Sequence, residues 1–169
     1  MSSPNGWTVL VYRIPAQPTR LRLAIWRRLQ KMGAFYLQDA VCLLPDRPDL
    51  TENLTYVAGT IEEMGGTCHL FRAETLLPGG SEEIVVGFRA LADTRLSEIG
   101  ARLEQIQEQL AEADDMTALN HAEESLKQQR IAYLHAQKRS YFGGTPEREA
   151  EVEAKFEQLK RVLDEREGK

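Results

Sequence analysis

The fold is decided first by the stretch Trp7-Thr8-Val9-Leu10-Val11-Tyr12-Arg13-Ile14, which predicts a β-strand. This stretch is rich in β-branched and aromatic residues, and Pro15 ends it. A helix is predicted from Thr19 to Met32, because apolar residues recur there at helical spacing and Gly33 is suited to ending a helix. The chain therefore opens with a strand followed by a helix.

The next segments extend this pattern to β-α-β-β-α-β. Two short strands are predicted at 34–37 and 41–44. A helix follows, which Asp49 or Thr51 caps and Gly65 ends, and the last strand is predicted at 67–73. This order predicts an α+β fold, namely a ferredoxin-like domain whose antiparallel sheet has the first strand between the third and the fourth. Cys42 and Cys68 would lie about 10 Å apart across two strand spacings, too far for a disulfide, so both should stay reduced.

From Ser81 onward the pattern is wholly helical. The first helix carries a heptad seam at spacings of three and four, formed by Leu96, Ile99, Leu103, Ile106, Leu110 and Ala113. A second helix is predicted from Thr117, as its cap, to about residue 140. A third starts at Pro146 and carries a seam of Val152, Phe156, Leu159 and Leu163. We expect a domain at 1–80 and, at 81–169, a long C-terminal antiparallel helical hairpin that packs on itself or pairs with a second copy or another helical partner.

The charge of the chain is distributed unevenly. Residues 1–38 contain six basic and no acidic residues, whereas the other 131 residues contain 15 basic and 26 acidic ones. In the first helix Arg20, Arg27 and Lys31 fall on one face, and Arg28 flanks it. Together with Arg13 they are the candidate residues for binding nucleic acid or another anion. Both tryptophans, Trp7 and Trp26, are predicted to be core residues.

Sequence motifs for catalysis or cofactor binding are absent. Cys68 and His69 are neighbours on a strand, so their side chains point to opposite faces, and the sequence has neither a phosphate-binding loop nor clustered carboxylates near its start. We therefore predict no enzyme activity, no cofactor and no metal site. No apolar stretch approaches the roughly eighteen residues of a membrane span, and residues 1–6 do not resemble a signal peptide. The sequence predicts a cytoplasmic protein without a membrane partner.

Several of these segments resemble the N-terminal domain of the chromate-resistance regulator ChrB. The resemblance is carried by residues 7–15, 18–22, 26–29, 33–34, 36–39, 43–45, 65–66 and 136–144. It implies a cytoplasmic bacterial relative of transcriptional regulators of chromate export operons, whose N-terminal part contributes DNA binding. The family's chromate sensing is assigned to a C-terminal domain. The sequence ends at Lys169, and so we expect this chain to lack that domain.

Four readings of the chain stay open at this point. DNA binding would use the basic residues on phosphates, although no base-reading motif is visible. A non-enzymatic interaction or oligomerisation module would use the helical seam instead. Arg13 and Arg20 would bind an oxyanion if they converge near the start of the first helix. In the fourth reading these cations only pair with surface carboxylates. The sequence does not identify an operator, an inducer, an oligomeric state or a separate sensing partner.

Overall fold

The computed structural model describes residues 6–16, 19–113 and 115–167. Within these ranges the chain forms four β-strands and five α-helices, and most residues are helical. The elements in chain order are β1 (Trp7–Arg13), α1 (Thr19–Met32), β2 (Phe35–Gln38), β3 (Val41–Pro45), α2 (Pro48–Glu63), β4 (Thr67–Ala73), α3 (Gly80–Glu112), α4 (Met116–Lys138) and α5 (Pro146–Glu167). The chain divides into two compact units, Met1–Gly87 and Phe88–Lys169, which we call the α/β unit and the helical unit. The predicted domain limits, 1–80 and 81–169, stay a prediction.

The four strands form one antiparallel sheet in the order β2-β3-β1-β4. Strand β1 lies between β3 and β4, as the sequence predicted, and pairs with both along most of its length. Cys42 lies opposite Leu10 on β3, and Cys68 lies opposite Tyr12 on β4. The two thiols are free and lie on strands separated by β1, and that they stay reduced remains a prediction. Burial raises the pKa of Cys42 to about 12, so this thiol is protonated at neutral pH.

The core of the α/β unit combines strand residues with one apolar side of each helix. Leu10 and Leu44 are buried in the sheet, and the helices contribute Ile25 and Leu29 from α1 and Leu54, Val57 and Ile61 from α2. The Thr8 hydroxyl, also buried, contacts the Thr51 hydroxyl of α2 at 2.9 Å and donates to Asp46 at 3.2 Å. These contacts join α2 to the sheet without an unpaired hydroxyl at their boundary.

Two predicted helix caps are wrong. Helix α2 begins at Pro48, because the fixed φ of proline suits the first helical position, and Asp49 instead forms a salt bridge of 2.9 Å with Arg47. Helix α4 is capped by Asp115, whose carboxylate accepts a hydrogen bond of 2.7 Å from the backbone N–H of Ala118. Thr117 lies inside the first turn of α4. Both helices therefore begin slightly earlier than the sequence indicated.

The helical unit has a single apolar core to which α3, α4 and α5 all contribute. The α3 seam from Leu96 to Leu110 and the α5 seam from Val152 to Leu163 are buried, as are Ala122, Tyr133 and Ala136 of α4. The rings of Tyr133 and Phe156 lie 5.6 Å apart between α4 and α5. The predicted seams are confirmed as packing faces except at Ala113, which follows the end of α3 and is only half-buried. They are covered within one chain, with exposures between 1% and 6%.

Carboxylates hold the beginning of α5 in place. Asp93 of α3 accepts a hydrogen bond of 2.8 Å from the backbone N–H of Thr145, and Glu149 accepts one of 2.8 Å from the N–H of Gly144. Negative charge is favourable at this end of a helix because the first N–H groups lack intrahelical partners. Further along, salt bridges join Arg130 to Glu153 at 2.6 Å and Lys155 to Glu104 at 2.5 Å. These contacts set the register of α5 against its two neighbours.

Candidate nucleic-acid interface

Helix α1 presents its basic residues to solvent on three different sides. Ile25 and Leu29 are buried against the unit, and the helix contains no acidic residue. Because successive residues are rotated by about 100°, the basic residues do not share one surface. The structure divides the five predicted site residues between an outer face, a contact with α2, and a groove beside the sheet.

The outer face contains Arg20, Arg27 and Lys31, all of which are exposed. We call these three residues the outer cationic face. None of them forms an ion pair with an acidic residue in the described part of the α/β unit. The nearby carboxylates that do form ion pairs, Asp46 and Asp49, bind Arg72 and Arg47 instead. The structure therefore brings these three predicted residues together on one side of α1.

Arg28 lies apart from that face. Its guanidinium group is 4.3 Å from the centre of the Tyr56 ring on α2, in a cation–π contact. Tyr56 is itself 61% exposed, so the pair stands at the surface between the two helices. Arg28 remains exposed there, and its orientation is set by the ring.

Arg13 lies at the end of β1 and lines a groove formed by the ends of β1 and β2 and by α1. The groove has a volume of about 890 Å³ and contains Arg22, which the prediction left out, together with Trp26 and Tyr36. Arg20 does not line it. Arg13 and Arg20, the pair that would bind an oxyanion if they converged, do not share this groove, because Arg20 is rotated by about 200° from Arg22 around the helix.

Trp26 is the clearest departure from the sequence prediction. It was expected in the core, yet it is 48% exposed and lines the groove, whereas Trp7 is 2% exposed. Residues Arg22, Trp26 and Gln30 follow one another at a spacing of four and all line the groove. The spacing of four can be read from the sequence, and it would have identified this side of α1 as a second candidate surface.

Two tyrosines form the floor of the groove. The hydroxyl groups of Tyr12 and Tyr36 are hydrogen-bonded at 3.0 Å. Burial raises the pKa of both, so both are neutral at physiological pH. The hydrogen bond with Tyr36 and, to a lesser extent, the charge of Arg22 act in the opposite direction on the pKa of Tyr12. Asp39 raises the pKa of Tyr12 slightly and lines the same groove.

The turn beside the groove holds a residue in an unfavourable conformation. Ala40 has a φ of 61°, in the left-handed region that alanine rarely adopts. Its carbonyl accepts a hydrogen bond of 3.0 Å from the backbone N–H of Tyr12. The strand register also shifts between Tyr36 and Gln38. These features fix the β2–β3 turn against β1 at the rim of the groove.

The described residues offer neither a metal site nor a membrane span. In the described ranges, no group of three or more His, Cys, Asp or Glu side chains is placed to hold a metal ion. Among the described helices, none has the length and apolar character needed to cross a membrane. The candidate functional site therefore consists of the basic side chains of α1 and β1.

Most of α1 lies within a region that is similar to known proteins. Residues 22–167 match the family described as Protein ChrB, N-terminal. The chain belongs to this family. The match includes Arg27, Arg28 and Lys31, whereas Arg13 and Arg20 precede it. The chain is also similar to Protein ChrB of Cupriavidus metallidurans, with 27% identity over 124 residues that make up 72% of this chain and 37% of that protein. The chain thus spans little more than a third of that relative.

Proposed function

We propose that this chain is a DNA-binding transcriptional regulator of the ChrB type, and that it contacts DNA phosphates through the outer cationic face of α1. One observation carries the proposal: Arg20, Arg27 and Lys31 are exposed on the same side of a helix that has no acidic residue. Unpaired cations in such an arrangement can release the counterions condensed on DNA, which gives affinity without sequence readout. Arg28, in contact with Tyr56, lies outside this face.

The membership in the ChrB N-terminal family supports the regulatory part of the proposal, because that resemblance implies a role in controlling chromate export genes. A regulator of this kind needs no catalytic centre and no cofactor, and it acts in the cytoplasm. Base readout would come from residues outside the outer cationic face or from the shape of the duplex. The proposed role is therefore phosphate-anchored binding with modest intrinsic sequence preference.

The strand order supports classing the α/β unit as ferredoxin-like, since β1 lies between β3 and β4 in a β-α-β-β-α-β chain. We likewise propose an antiparallel hairpin for α4 and α5, supported by the short connection between Lys138 and Pro146 and by the salt bridge of Arg130 with Glu153, which lie at similar distances from that connection. In this arrangement the helical unit supports the regulator but does not itself contact phosphates.

Fluorescence anisotropy of a labelled duplex from upstream of the chain's own gene tests DNA binding, with a scrambled duplex in parallel and a salt series for each. In the variant Arg20→Gln/Arg27→Gln/Lys31→Gln we expect the slope of log affinity against log salt to decrease by about 2.7 if each cation contacts one phosphate. The matched control is Lys138→Gln/Lys160→Gln/Arg161→Gln, which removes the same charge from exposed residues of the helical unit.

The two triple variants separate a specific surface from overall charge. The control should keep the wild-type slope. Equal losses in both variants, or no salt-dependent binding by the wild type, would overturn the assignment to α1. Preference for the upstream duplex over the scrambled one is the result expected of a regulator.

A second candidate function is a dimer or other assembly through the helices. The α3 and α5 seams are buried within the chain, but Ile131 and Leu134 of α4 are 55% and 46% exposed and lie one helical turn apart. Such a pair suits a small apolar contact with a second copy. Sedimentation of the wild type beside Ile131→Ser/Leu134→Ser tests this function independently of DNA.

A further inference from the structure

The groove between α1 and the ends of β1 and β2 is distinct from the outer cationic face, because its residues lie on another side of α1. A volume of about 890 Å³ lies within the range of pockets that bind organic molecules. A lone inorganic oxyanion would fill only a small part of it. The size of the groove therefore indicates a ligand with an organic body.

The aromatic wall of the groove is Trp26. A large aromatic side chain that is 48% exposed in a concave surface offers a flat apolar area on which a planar ring can stack. Its neighbour on the wall, Leu23, is 41% exposed. Together they provide the apolar part of a ligand site.

The polar part of the groove is cationic. Arg13 and Arg22 both line it, Asp39 is the one acid among the described lining residues, and neither arginine forms an ion pair with a described acid of this unit. Guanidinium groups bind carboxylates and phosphates through paired N–H donors. The groove is thus suited to an anionic group near the start of α1, where the helix also favours negative charge.

The tyrosine pair contributes one further donor. In a hydrogen bond between two neutral hydroxyl groups, one O–H is used as the donor, and the other hydroxyl keeps its own hydrogen. The Tyr12–Tyr36 pair at 3.0 Å therefore has one O–H left to donate, and it lines the groove together with the two arginines. This donor adds to the guanidinium groups as a partner for an anionic oxygen.

We propose that this groove binds a small organic anion of the mononucleotide class, with its ring stacked on Trp26 and its phosphate held by Arg13 and Arg22. The tyrosine hydroxyl donates to the same phosphate. This ligand site goes beyond the proposed DNA binding and does not depend on it, since the two use different sides of α1.

The intrinsic fluorescence of the protein provides the test, because one tryptophan lines the groove and the other is buried. Adenosine 5′-monophosphate, adenosine and inorganic phosphate are each titrated into the full chain, with excitation at the red edge of tryptophan absorption. We expect saturable quenching by the monophosphate, and binding at least about tenfold weaker for adenosine and for phosphate, since each lacks one half of the recognised structure. Equilibrium dialysis with radiolabelled adenosine 5′-monophosphate gives the same affinity without relying on Trp26.

The arginine variants make the test specific. Arg13→Gln/Arg22→Gln should weaken binding of the monophosphate at least about tenfold, whereas Arg20→Gln/Arg27→Gln, which changes the charge equally on the outer side of α1, should leave it unchanged. All four arginines are exposed, and circular dichroism verifies the fold of each variant.

Absence of saturable binding at millimolar monophosphate would overturn the proposal. Equal weakening by both pairs of arginine substitutions would also overturn it, because the attraction would then be non-specific and electrostatic. The same holds if inorganic phosphate binds as tightly as the monophosphate, because the ring would then not be recognised. These outcomes are independent of the DNA titration, because the control here carries two of the three substitutions that are expected to weaken DNA binding.

Discussion

The two units of this chain use basic residues in opposite ways. In the helical unit Arg130, Lys155 and Lys127 each lie against a glutamate, so their charges are balanced where they stand. In the α/β unit the cations of α1 have no such partners among the described residues of that unit. Paired surface charges add little to stability, and unpaired ones of the same sign repel one another. Their concentration on one helix therefore adds little to folding stability and is consistent with the anionic partner that we propose.

The units also differ in their cores, because the core of the helical unit is formed by helices alone. The largest change in stability that we predict comes from removing an aromatic ring from that core. Phe156 is 5% exposed and lies against Tyr133 in the helical core. Phe156→Ala should lower the free energy of unfolding of the helical unit by about 3–5 kcal/mol, through lost burial and the cavity left behind. Chemical denaturation followed by circular dichroism measures it.

Phe71→Ala is the matched control in the α/β unit, because that ring is 53% exposed. It should change stability by less than about 1 kcal/mol. Both tryptophans lie in the α/β unit, so the tryptophan fluorescence transition reports that unit alone. A Phe156→Ala transition indistinguishable from wild type by circular dichroism would contradict the packed helical core.

The second prediction concerns backbone packing in the α/β unit. A Cβ atom at Gly66 would lie 2.6 Å from the carbonyl oxygen of Arg13 and 2.7 Å from Cγ2 of Ile61. Backbone cannot yield as a flexible side chain does, so Gly66→Ala should destabilise this unit by about 3 kcal/mol. The tryptophan fluorescence transition in denaturant measures the loss.

Gly59→Ala is the counterpart on α2, where a Cβ atom would meet no other atom within 4 Å. This variant should gain up to about 1 kcal/mol from improved helix propensity. If both glycine variants behaved alike, the close approach of Arg13 and Ile61 to Gly66 would be refuted.

The smallest predicted change in stability concerns Arg95, a basic residue of the helical unit whose charge is not balanced as those of Arg130 and Lys155 are. Nη2 of Arg95 is buried without a hydrogen-bond partner among the described residues of that unit. Burial, and then the charge of Arg139, lower the pKa of Arg95. Arg95→Met should therefore raise the free energy of unfolding by about 1 kcal/mol, with exposed Arg102→Met as the neutral control. A marked loss of stability in Arg95→Met alone would show that the guanidinium group has a stabilising partner.

Much of the fold followed from local patterns. The strands and helices were predicted close to their observed limits, and the seams of α3 and α5 are buried as the heptad spacing indicated. The two helix starts that were wrong have different causes, because α2 begins at Pro48 without a side-chain cap, whereas α4 is capped by Asp115 and not by Thr117. Each predicted helix start differs from the observed one by less than a single turn, where more than one residue can satisfy the first backbone N–H groups.

The candidate site was predictable only in part. Composition alone identified the basic start of the chain, and helical spacing placed Arg20, Arg27 and Lys31 together. The position of Arg13 relative to Arg22, the exposure of Trp26 and the hydrogen bond between Tyr12 and Tyr36 depend on how α1 lies across the sheet. No pattern within a single segment encodes that placement.

By itself, then, the sequence determined the order of the elements, the apolar side of each helix and the location of the basic residues along the chain. These follow from backbone propensity and side-chain periodicity, which act over a few residues. Only the tertiary structure decided which basic residues share a surface and which tryptophan is buried. Those properties arise from contacts between segments distant in the chain, where the packing of α1 on β1 and β2 leaves one side of the helix open as a groove.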